Sequence, residues 1–166
     1  MPVVIRDARL SDLPAIVEIY NSSIAGRMAT ADTSAISVAS REPWFKEHRP
    51  DFRPLWVANL NHFVVGWFSF QSFYGRPAYG RTAEISVYVS PLHQGRGMGR
   101  TLLATAIDRG PSFGLRTLLG FIFGHNELSL RLFYSLGFNR WGLLPRVAEL
   151  DDIERDLIIV GRRISE

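Results

Sequence analysis

Apolar residues recur along the chain with two different spacings, which together predict a mixture of strands and helices. Ile16, Val17 and Tyr20 recur at the interval expected of a helix that buries one face. Short apolar or alternating runs are typical of strands instead. The predicted strands are residues 3–6, 55–60, 63–70, 83–89, 117–123 and 154–163, with further extended stretches at 138–141 and 146–150. The predicted helices are one that begins after Ser11 and three at residues 40–48, 101–109 and 127–136.

Turn residues mark the ends of these elements. Ser11 is suited to cap the first helix, and the Asn-His pair at 61–62 predicts a hairpin between two strands. Gly110-Pro111 is expected to end the third helix. Antiparallel strands come first and a β-α-β unit follows. We therefore predict a single domain, residues 1–166, with an α/β architecture: a mixed sheet with helices on both faces.

Composition narrows the classes of function. The chain has 166 residues, of which 46% are hydrophobic and 21% charged, as expected of a globular domain with a substantial core. It has no cysteine, which excludes disulfides, thiolate metal ligands and a cysteine nucleophile. Because it has neither an apolar run long enough to span a membrane nor a signal-peptide pattern, we expect a cytoplasmic protein without a membrane partner.

Charge and histidine spacing narrow the partners further. The net charge is only +3 and the longest basic run is Arg162-Arg163, so we expect no nucleic-acid partner. The four histidines show no paired spacing typical of metal ligands, so we expect no metal.

The most informative motif is a glycine-rich turn, Gln94-Gly95-Arg96-Gly97-Met98-Gly99, between a predicted strand and a predicted helix. Alternate glycines leave backbone N–H groups without side-chain cover, and the helix adds unpaired N–H groups and a positive dipole end. These features favour an anion, most naturally a phosphate. The turn lacks the Lys-Ser/Thr of a P-loop and the glycine spacing of a dinucleotide site. An ordinary glycine-rich connection is the alternative.

These residues resemble the GNAT superfamily of acyl-CoA-dependent N-acetyltransferases, in the branch of phosphinothricin acetyltransferases and amino-acid N-acyltransferases. The resemblance covers nearly the whole chain. The segments that carry it are Ile5-Arg6-Asp7-Ala8, Val87-Tyr88-Val89-Ser90-Pro91, Gln94-x-x-Gly97-x-Gly99, and Asn126 through Leu136-Gly137-Phe138. It implies a mainly antiparallel sheet whose two central strands splay apart.

The resemblance implies acetyl-CoA as the cosubstrate. Its pyrophosphate is expected at the glycine turn, and its pantetheine arm along the edge of the strand before that turn, as a ligand that extends the sheet. Asn126 has two interpretations that are compatible with each other, a helix N-cap and a contact to the pantetheine arm. The expected cofactor-binding residues are Val87, Tyr88, Val89, Gln94, Gly95, Arg96, Gly97, Met98, Gly99, Arg100, Asn126 and Ser129.

Two residues are candidates for acid–base chemistry. Glu84 shares a strand face with Ser86 and Tyr88, and we expect it to take the proton of the amine. An ion pair of Glu84 with Arg76 or Arg81 is the alternative. The resemblance implies Tyr134 as the acid for the leaving thiolate, where a core position is the alternative. The oxyanion is expected at a backbone N–H near Val87 or Tyr88.

The acceptor is expected to be the primary amine of a small molecule, an amino acid or analogue, that attacks directly within a ternary complex. Arg76 and Arg81, with Tyr74 beside them, are expected to bind it, the arginines through its carboxylate; ordinary surface arginines are the alternative. Residues 145–156 depart from the phosphinothricin enzymes, which puts phosphinothricin itself in doubt. The alternatives are acetylation of a protein N-terminus or lysine, and a non-catalytic acyl-CoA sensor. The resemblance also implies a homodimer.

Overall fold

The computed structural model describes residues 2–166, and one seven-stranded sheet runs through it. The strands lie in the order β1-β2-β3-β4-β5-β7-β6, and all neighbours are antiparallel except β4 and β5. The two extended stretches expected at 138–141 and 146–150 join into one long edge strand. The strands are β1 Val4–Asp7, β2 Leu55–Leu60, β3 Phe63–Ser72, β4 Thr82–Val89, β5 Thr117–Phe123, β6 Asn139–Leu150 and β7 Ile153–Arg163.

Four helices cover the two faces of the sheet, as predicted. Helices α1 and α2 pack on the face that carries Trp67 and Tyr88, whereas α3 and α4 pack on the face that carries Ile85 and Val87. In residues 2–166 no helix has both the length and the apolar character that crossing a bilayer requires. The helices are α1 Leu13–Ser22, α2 Val38–Glu47, α3 Met98–Arg109 and α4 Glu127–Ser135.

The sheet opens between β4 and β5. These strands pair in parallel only at three positions, from Thr82 opposite Thr117 to Glu84 opposite Leu119. Beyond them β4 continues with β3 as far as Val89, and β5 continues with β7 as far as Phe123. The predicted splay of the central strands is therefore confirmed, and it begins at Glu84.

The hairpin between β2 and β3 is confirmed as well. Asn61 and His62 both adopt positive φ, 51° and 70°. Two consecutive left-handed residues form the tight turn whose twist matches that of the flanking strands. Asn accepts this conformation more readily than most residues because its short side chain bonds locally.

The start of the first helix differs from the prediction. A short 3-10 turn, Leu10–Asp12, precedes α1, and Ser11 lies inside this turn instead of capping the helix. Asp12 secures the region: its carboxylate accepts the Arg9 N–H at 2.7 Å and two bonds from the Arg6 guanidinium at 2.8 and 3.0 Å. Burial alone would raise the pKa of Asp12, but these bonds hold it below its usual value.

We predict that Asp12→Ala lowers the free energy of unfolding by about 2 kcal/mol, because Arg6 and the Arg9 N–H lose a partly buried charged acceptor. The Asp12 contribution is fully present above the unfolded pKa, about 4, and is lost as pH falls through the lower folded pKa. Urea denaturation at neutral and acidic pH measures both effects.

Ser11→Ala is the matched control. It should change the free energy of unfolding by less than about 0.5 kcal/mol, as an ordinary surface substitution does. A loss of about 1 kcal/mol, the usual effect of deleting an N-cap, would restore Ser11 as the cap and contradict the assignment to Asp12.

Candidate active site

A cavity of about 500 Å³ occupies the opening between β4 and β5. Both strands, the N-terminal turn of α4, strand β6 and a loop after α1 contribute to its wall. Residues 27–33 of that loop lie over the opening, and we call them the roof loop. The lining residues are Met28, Ala29, Thr30, Ala31, Glu84, Ile85, Ser86, Val87, Tyr88, Phe121, Ile122, Phe123, Asn126, Ser129, Phe133, Val147, Ala148 and Leu157.

One edge of β4 has unpaired backbone groups at this opening. In a strand, the N–H and C=O groups of successive residues point to opposite neighbours. Ser90 N–H donates to Val65 O of β3, and Arg81 O accepts the Arg116 and Thr117 N–H groups on the β5 side. The backbone N–H and C=O groups of the odd-numbered residues of β4 therefore point toward β5 and the opening. Because pairing with β5 ends at Glu84, the Val87 N–H and C=O have no strand partner at the opening within residues 2–166. The backbone groups of Tyr88 point the other way, to β3.

The glycine turn lies where this free edge ends. Gly95 and Gly97 have φ of 75° and 80°, and a Cβ added at either position would meet no atom within 4 Å. The turn therefore borders open space and holds a backbone conformation that side chains disfavour. Gln94 Nε2 donates to Val89 O at 3.2 Å, which ties the turn to β4. Helix α3 begins at Met98, three residues before the predicted 101, with Gly97 as its N-cap.

The two arginines of this turn differ. Arg100 Nη1 donates to Ser135 Oγ of α4 at 2.8 Å, so part of its guanidinium is already engaged. Arg96 is exposed, and its side chain makes no hydrogen bond or ion pair within residues 2–166. Of the two, Arg96 is the freer to meet an anion at the turn.

Asn126 is buried, and its side chain joins two elements. Oδ1 accepts the Ser129 N–H at 3.2 Å, which confirms the interpretation as the N-cap of α4. Nδ2 donates to Met28 O of the roof loop at 3.1 Å. Asn126 and Ser129 both line the cavity, so the cap also forms part of its wall.

The roof loop is fixed at several points, which the sequence did not reveal because this segment has no periodic pattern. His125 Nε2 bonds with Arg27 O at 2.8 Å, and the Tyr88 hydroxyl donates to Ala29 O at 3.3 Å. Burial raises the pKa of Tyr88, so its hydroxyl keeps the proton that it donates. The Tyr20 hydroxyl forms a hydrogen bond with the Thr30 hydroxyl at 2.5 Å.

Glu84 is half-buried in the cavity wall, at the point where β4 and β5 separate. Within residues 2–166 its carboxylate makes no hydrogen bond, and no arginine or lysine approaches within ion-pair distance. The alternative of an ion pair with Arg76 or Arg81 is therefore wrong. Burial raises the pKa of Glu84 above its ordinary value because the charged form loses hydration. A carboxylate so placed is suited to take up a proton.

Tyr134, the candidate acid, lies at the surface of α4. Tyr134 is 40% exposed and is absent from the cavity lining, whereas its neighbour Phe133 is 6% exposed and lines the cavity. Successive residues of a helix point about 100° apart, so only one of this pair can face the opening. At this position of α4 the cavity is therefore lined by the Phe133 ring, which carries no acidic proton.

The three predicted substrate-binding residues also lie outside the cavity lining. Arg76 and Arg81 are exposed. Tyr74 is 78% exposed and packs against the rings of Phe73 and Tyr79 in the loop between β3 and β4. These three residues therefore lie at the surface and outside the cavity lining, although they are close to Glu84 in sequence.

Comparison with known proteins identifies the fold and its chemistry. The acetyltransferase (GNAT) family matches residues 16–138. The chain is 49% identical over 162 residues to "Putative phosphinothricin acetyltransferase YwnH" of Bacillus subtilis (strain 168), covering 97% of this chain and 99% of that protein. It is 36% identical over 162 residues to L-amino acid N-acyltransferase MnaT of Escherichia coli (strain K12), covering 98% and 94%.

A solved structure gives the same result. The crystal structure of a GNAT superfamily phosphinothricin acetyltransferase from Sinorhizobium meliloti, in complex with AcCoA, matches with a TM-score of 0.93 at 30% identity. The match covers 100% of this chain and 90% of that one. With its divergent central strands and the glycine turn at the end of the free edge, this chain belongs to the GNAT family of acetyltransferases.

Proposed function

We propose that this enzyme transfers the acetyl group of acetyl-CoA to the primary amine of a small molecule, an amino acid or analogue, by direct attack in a ternary complex. The observation that carries the proposal is the cavity at the splay, which places a carboxylate without a counter-ion beside a free strand edge. Residues 1–166 would form one catalytic domain.

The residues present fit acetyl-CoA. The open space above Gly95 and Gly97 accepts a pyrophosphate on backbone N–H groups, with Arg96 beside it. The Val87 N–H would donate to a carbonyl of an extended pantetheine arm, and the Val87 C=O would accept from one of its amide N–H groups. The bound cosubstrate supplies an activated acetyl thioester at the opening. The other residues assigned to this site are Tyr88, Val89, Gln94, Met98, Gly99, Arg100, Asn126 and Ser129.

Glu84 acts as the base in this proposal. An aliphatic ammonium has a pKa near 10, about that of lysine, so the amine must lose a proton before or during attack. Glu84 takes this proton directly or through a water, and a backbone N–H facing the opening, best placed at Val87, stabilises the oxyanion. The leaving group is a thiolate, and an alkyl thiol such as that of cysteine has a pKa near 8.5. The thiolate can take its proton from water, so this scheme does not require a tyrosine acid on α4.

The names of the relatives support the acceptor class. MnaT is named an L-amino acid N-acyltransferase and YwnH a "Putative phosphinothricin acetyltransferase", and the acceptor in each name is a compound with a primary amine and an acidic group. Val147 and Ala148, in the segment that departs from the phosphinothricin enzymes, line the cavity. We therefore propose an amino-acid acceptor without assigning phosphinothricin.

The homodimer and the cytoplasmic location remain predictions. Edge strand β6 exposes several large apolar side chains, including Trp141 and Val147, which is the kind of surface that a second copy covers. Sedimentation velocity at several protein concentrations tests the dimer directly.

The assay that tests the function is release of the coenzyme A thiol from acetyl-CoA with amino acids, polyamines and peptides as acceptors. We expect release with one or more free amino acids and much slower release with peptides. Preference for peptides would favour the protein acetyltransferase instead. Coenzyme A binding without release from any acceptor would favour the sensor.

Gly97→Asp is expected to weaken coenzyme A binding by about 100-fold or more, because it places a side chain and a like charge where the pyrophosphate would lie. Calorimetric titration with coenzyme A measures the Kd. Gly114→Asp is the matched control: Gly114 also has positive φ, 77°, and open space around it, but lies beyond the far end of α3. An equal Kd for both variants would contradict the assignment of the turn.

Glu84→Gln is expected to lower kcat by about 10²- to 10⁴-fold while the Kd for coenzyme A stays unchanged. In the wild type, kcat should fall at acidic pH as Glu84 becomes protonated, with a midpoint above the ordinary carboxylate pKa because burial raises it. That acidic limb should vanish in the variant. Stopped assays across pH 4–9 measure it.

Two further variants complete this test. Glu127→Gln changes an exposed carboxylate in the first turn of α4 and should leave kcat unaltered. Tyr134→Phe should have little effect, because the exposed hydroxyl lies outside the cavity lining. A large fall in kcat for Tyr134→Phe would return that residue to the acid role that the resemblance implied.

A further inference from the structure

A second cavity, of about 150 Å³, lies between helices α1 and α2 and the sheet. We call it the side pocket. It shares Ser86 and Tyr88 with the large cavity, so the two spaces adjoin along β4. Gln71, the cross-strand partner of Glu84, also lines it. An acceptor whose amine lies at Glu84 therefore has the side pocket next to it.

The side pocket has aromatic walls whose rings pack against one another. The rings of Trp67 and Tyr88 stack at 4.8 Å, Trp44 meets Trp67 edge-on at 5.6 Å, and Tyr20 meets Tyr88 at 5.2 Å. An engineered apolar cavity of about 150 Å³ is known to hold benzene. The side pocket therefore has room for an acceptor group of about six non-hydrogen atoms.

Arg41 brings a positive charge to this pocket. Its guanidinium carbon lies 4.9 Å from the centre of the Tyr20 ring and 5.4 Å from that of the Trp44 ring, so the group packs against both aromatic rings. Within residues 2–166 it donates no hydrogen bond. A guanidinium has five N–H donors in a planar fork, which matches an oxyanion with two oxygens.

Among residues 2–166, Asp32 is the one acidic side chain within ion-pair distance of Arg41, at 3.7 Å, which is too long for a hydrogen bond. Its carboxylate accepts the hydroxyl of Tyr20 instead. Burial, and then this bond to Asp32, raises the pKa of Tyr20, so Tyr20 remains the donor. Asp32 therefore neutralises part of the Arg41 charge and leaves the N–H fork unfilled.

We propose that Arg41 binds an anionic oxygen group of the acceptor in the side pocket. This contact selects amines that also carry an acidic group over amines that carry none. The inference rests on the proposed function, since it names the residue that would bind the anionic group of the acceptor. It differs from the sequence-based assignment to Arg76 and Arg81, which lie exposed outside both cavity linings. The anionic group is the α-carboxylate or an acidic group at the end of the side chain.

Steady-state kinetics on Arg41→Gln test the proposal. KM for an amino-acid acceptor should rise by about 10- to 100-fold, the effect of losing a charge-assisted pair, with a smaller change in kcat. KM for the matched neutral analogue should not change. An L-amino acid against its α-carboxamide, and L-glutamate against L-glutamine, reveal which of the two anionic groups Arg41 reads.

Two variants support the comparison. Arg41→Lys keeps the charge but loses the fork, so its KM should lie between those of the wild type and Arg41→Gln. Arg49→Gln is the matched control, since Arg49 also lies over an aromatic ring, that of Phe52, yet lines neither cavity. An unchanged KM in Arg41→Gln, or a larger rise in Arg76→Gln or Arg81→Gln, would overturn the proposal.

Binding measured without turnover separates this inference from the proposed function. Trp44 and Trp67 line the side pocket, so tryptophan fluorescence should change when L-amino acids are added in the presence of coenzyme A. The change should be lost in Arg41→Gln and kept in Arg49→Gln. Binding of this kind without acetyl transfer would overturn the proposed function and support the inference. Acetyl transfer with equal binding in both variants would do the reverse.

Discussion

The site depends on one constraint: β4 keeps β3 as its neighbour along its whole length but loses β5 after Glu84. Backbone N–H and C=O groups that are withdrawn from water need partners. A sheet that opens in its middle therefore creates both the space for a ligand and the unpaired groups that a ligand satisfies.

The elements that surround the opening begin where β4 and β5 end. The glycine turn starts where the free edge of β4 ends, so an anion on the turn and an extended chain on the edge belong to one continuous ligand. Asn126 stands at the corresponding end of β5 and ties the start of α4 to the roof loop. The opening is thus held in shape by hydrogen bonds that join segments about a hundred residues apart.

The sequence allowed prediction of the parts whose signals are local. Strand runs, the hairpin at 61–62 and the glycine turn all depend on neighbouring residues, and they were predicted close to their observed places. Helix α3 started early because a glycine with positive φ served as its cap, a conformation that residue type alone does not fix. Tyr134 shows a sharper limit: one position on a helix decides which side chain lines the cavity, and here Phe133 lines it while the role of Tyr134 stays a prediction.

The acceptor side was beyond such prediction because long-range contacts create it. Arg41 lies on a helix without an apolar stripe, and its importance appears only when Tyr20 and Trp67, which are distant in sequence, pack beside it. Neither the residue type nor the spacing of Arg41 distinguishes it from the other arginines of the chain.

The charges of the two cavities favour an acceptor that carries both signs. Within residues 2–166 no arginine or lysine lies within ion-pair distance of Glu84, and no oxygen lies within hydrogen-bond distance of the Arg41 guanidinium, since Asp32 is 3.7 Å away. Had these two side chains paired, each would have neutralised the other and neither would remain to bind a ligand. Ser86 and the polar side chain of Gln71 stand between Glu84 and the side pocket instead. An amino acid brings an ammonium group for Glu84 and an anionic group for Arg41, so it satisfies both positions at once. A lysine side chain within a protein supplies only the first, which is why the electrostatics of this site favour the free amino acid.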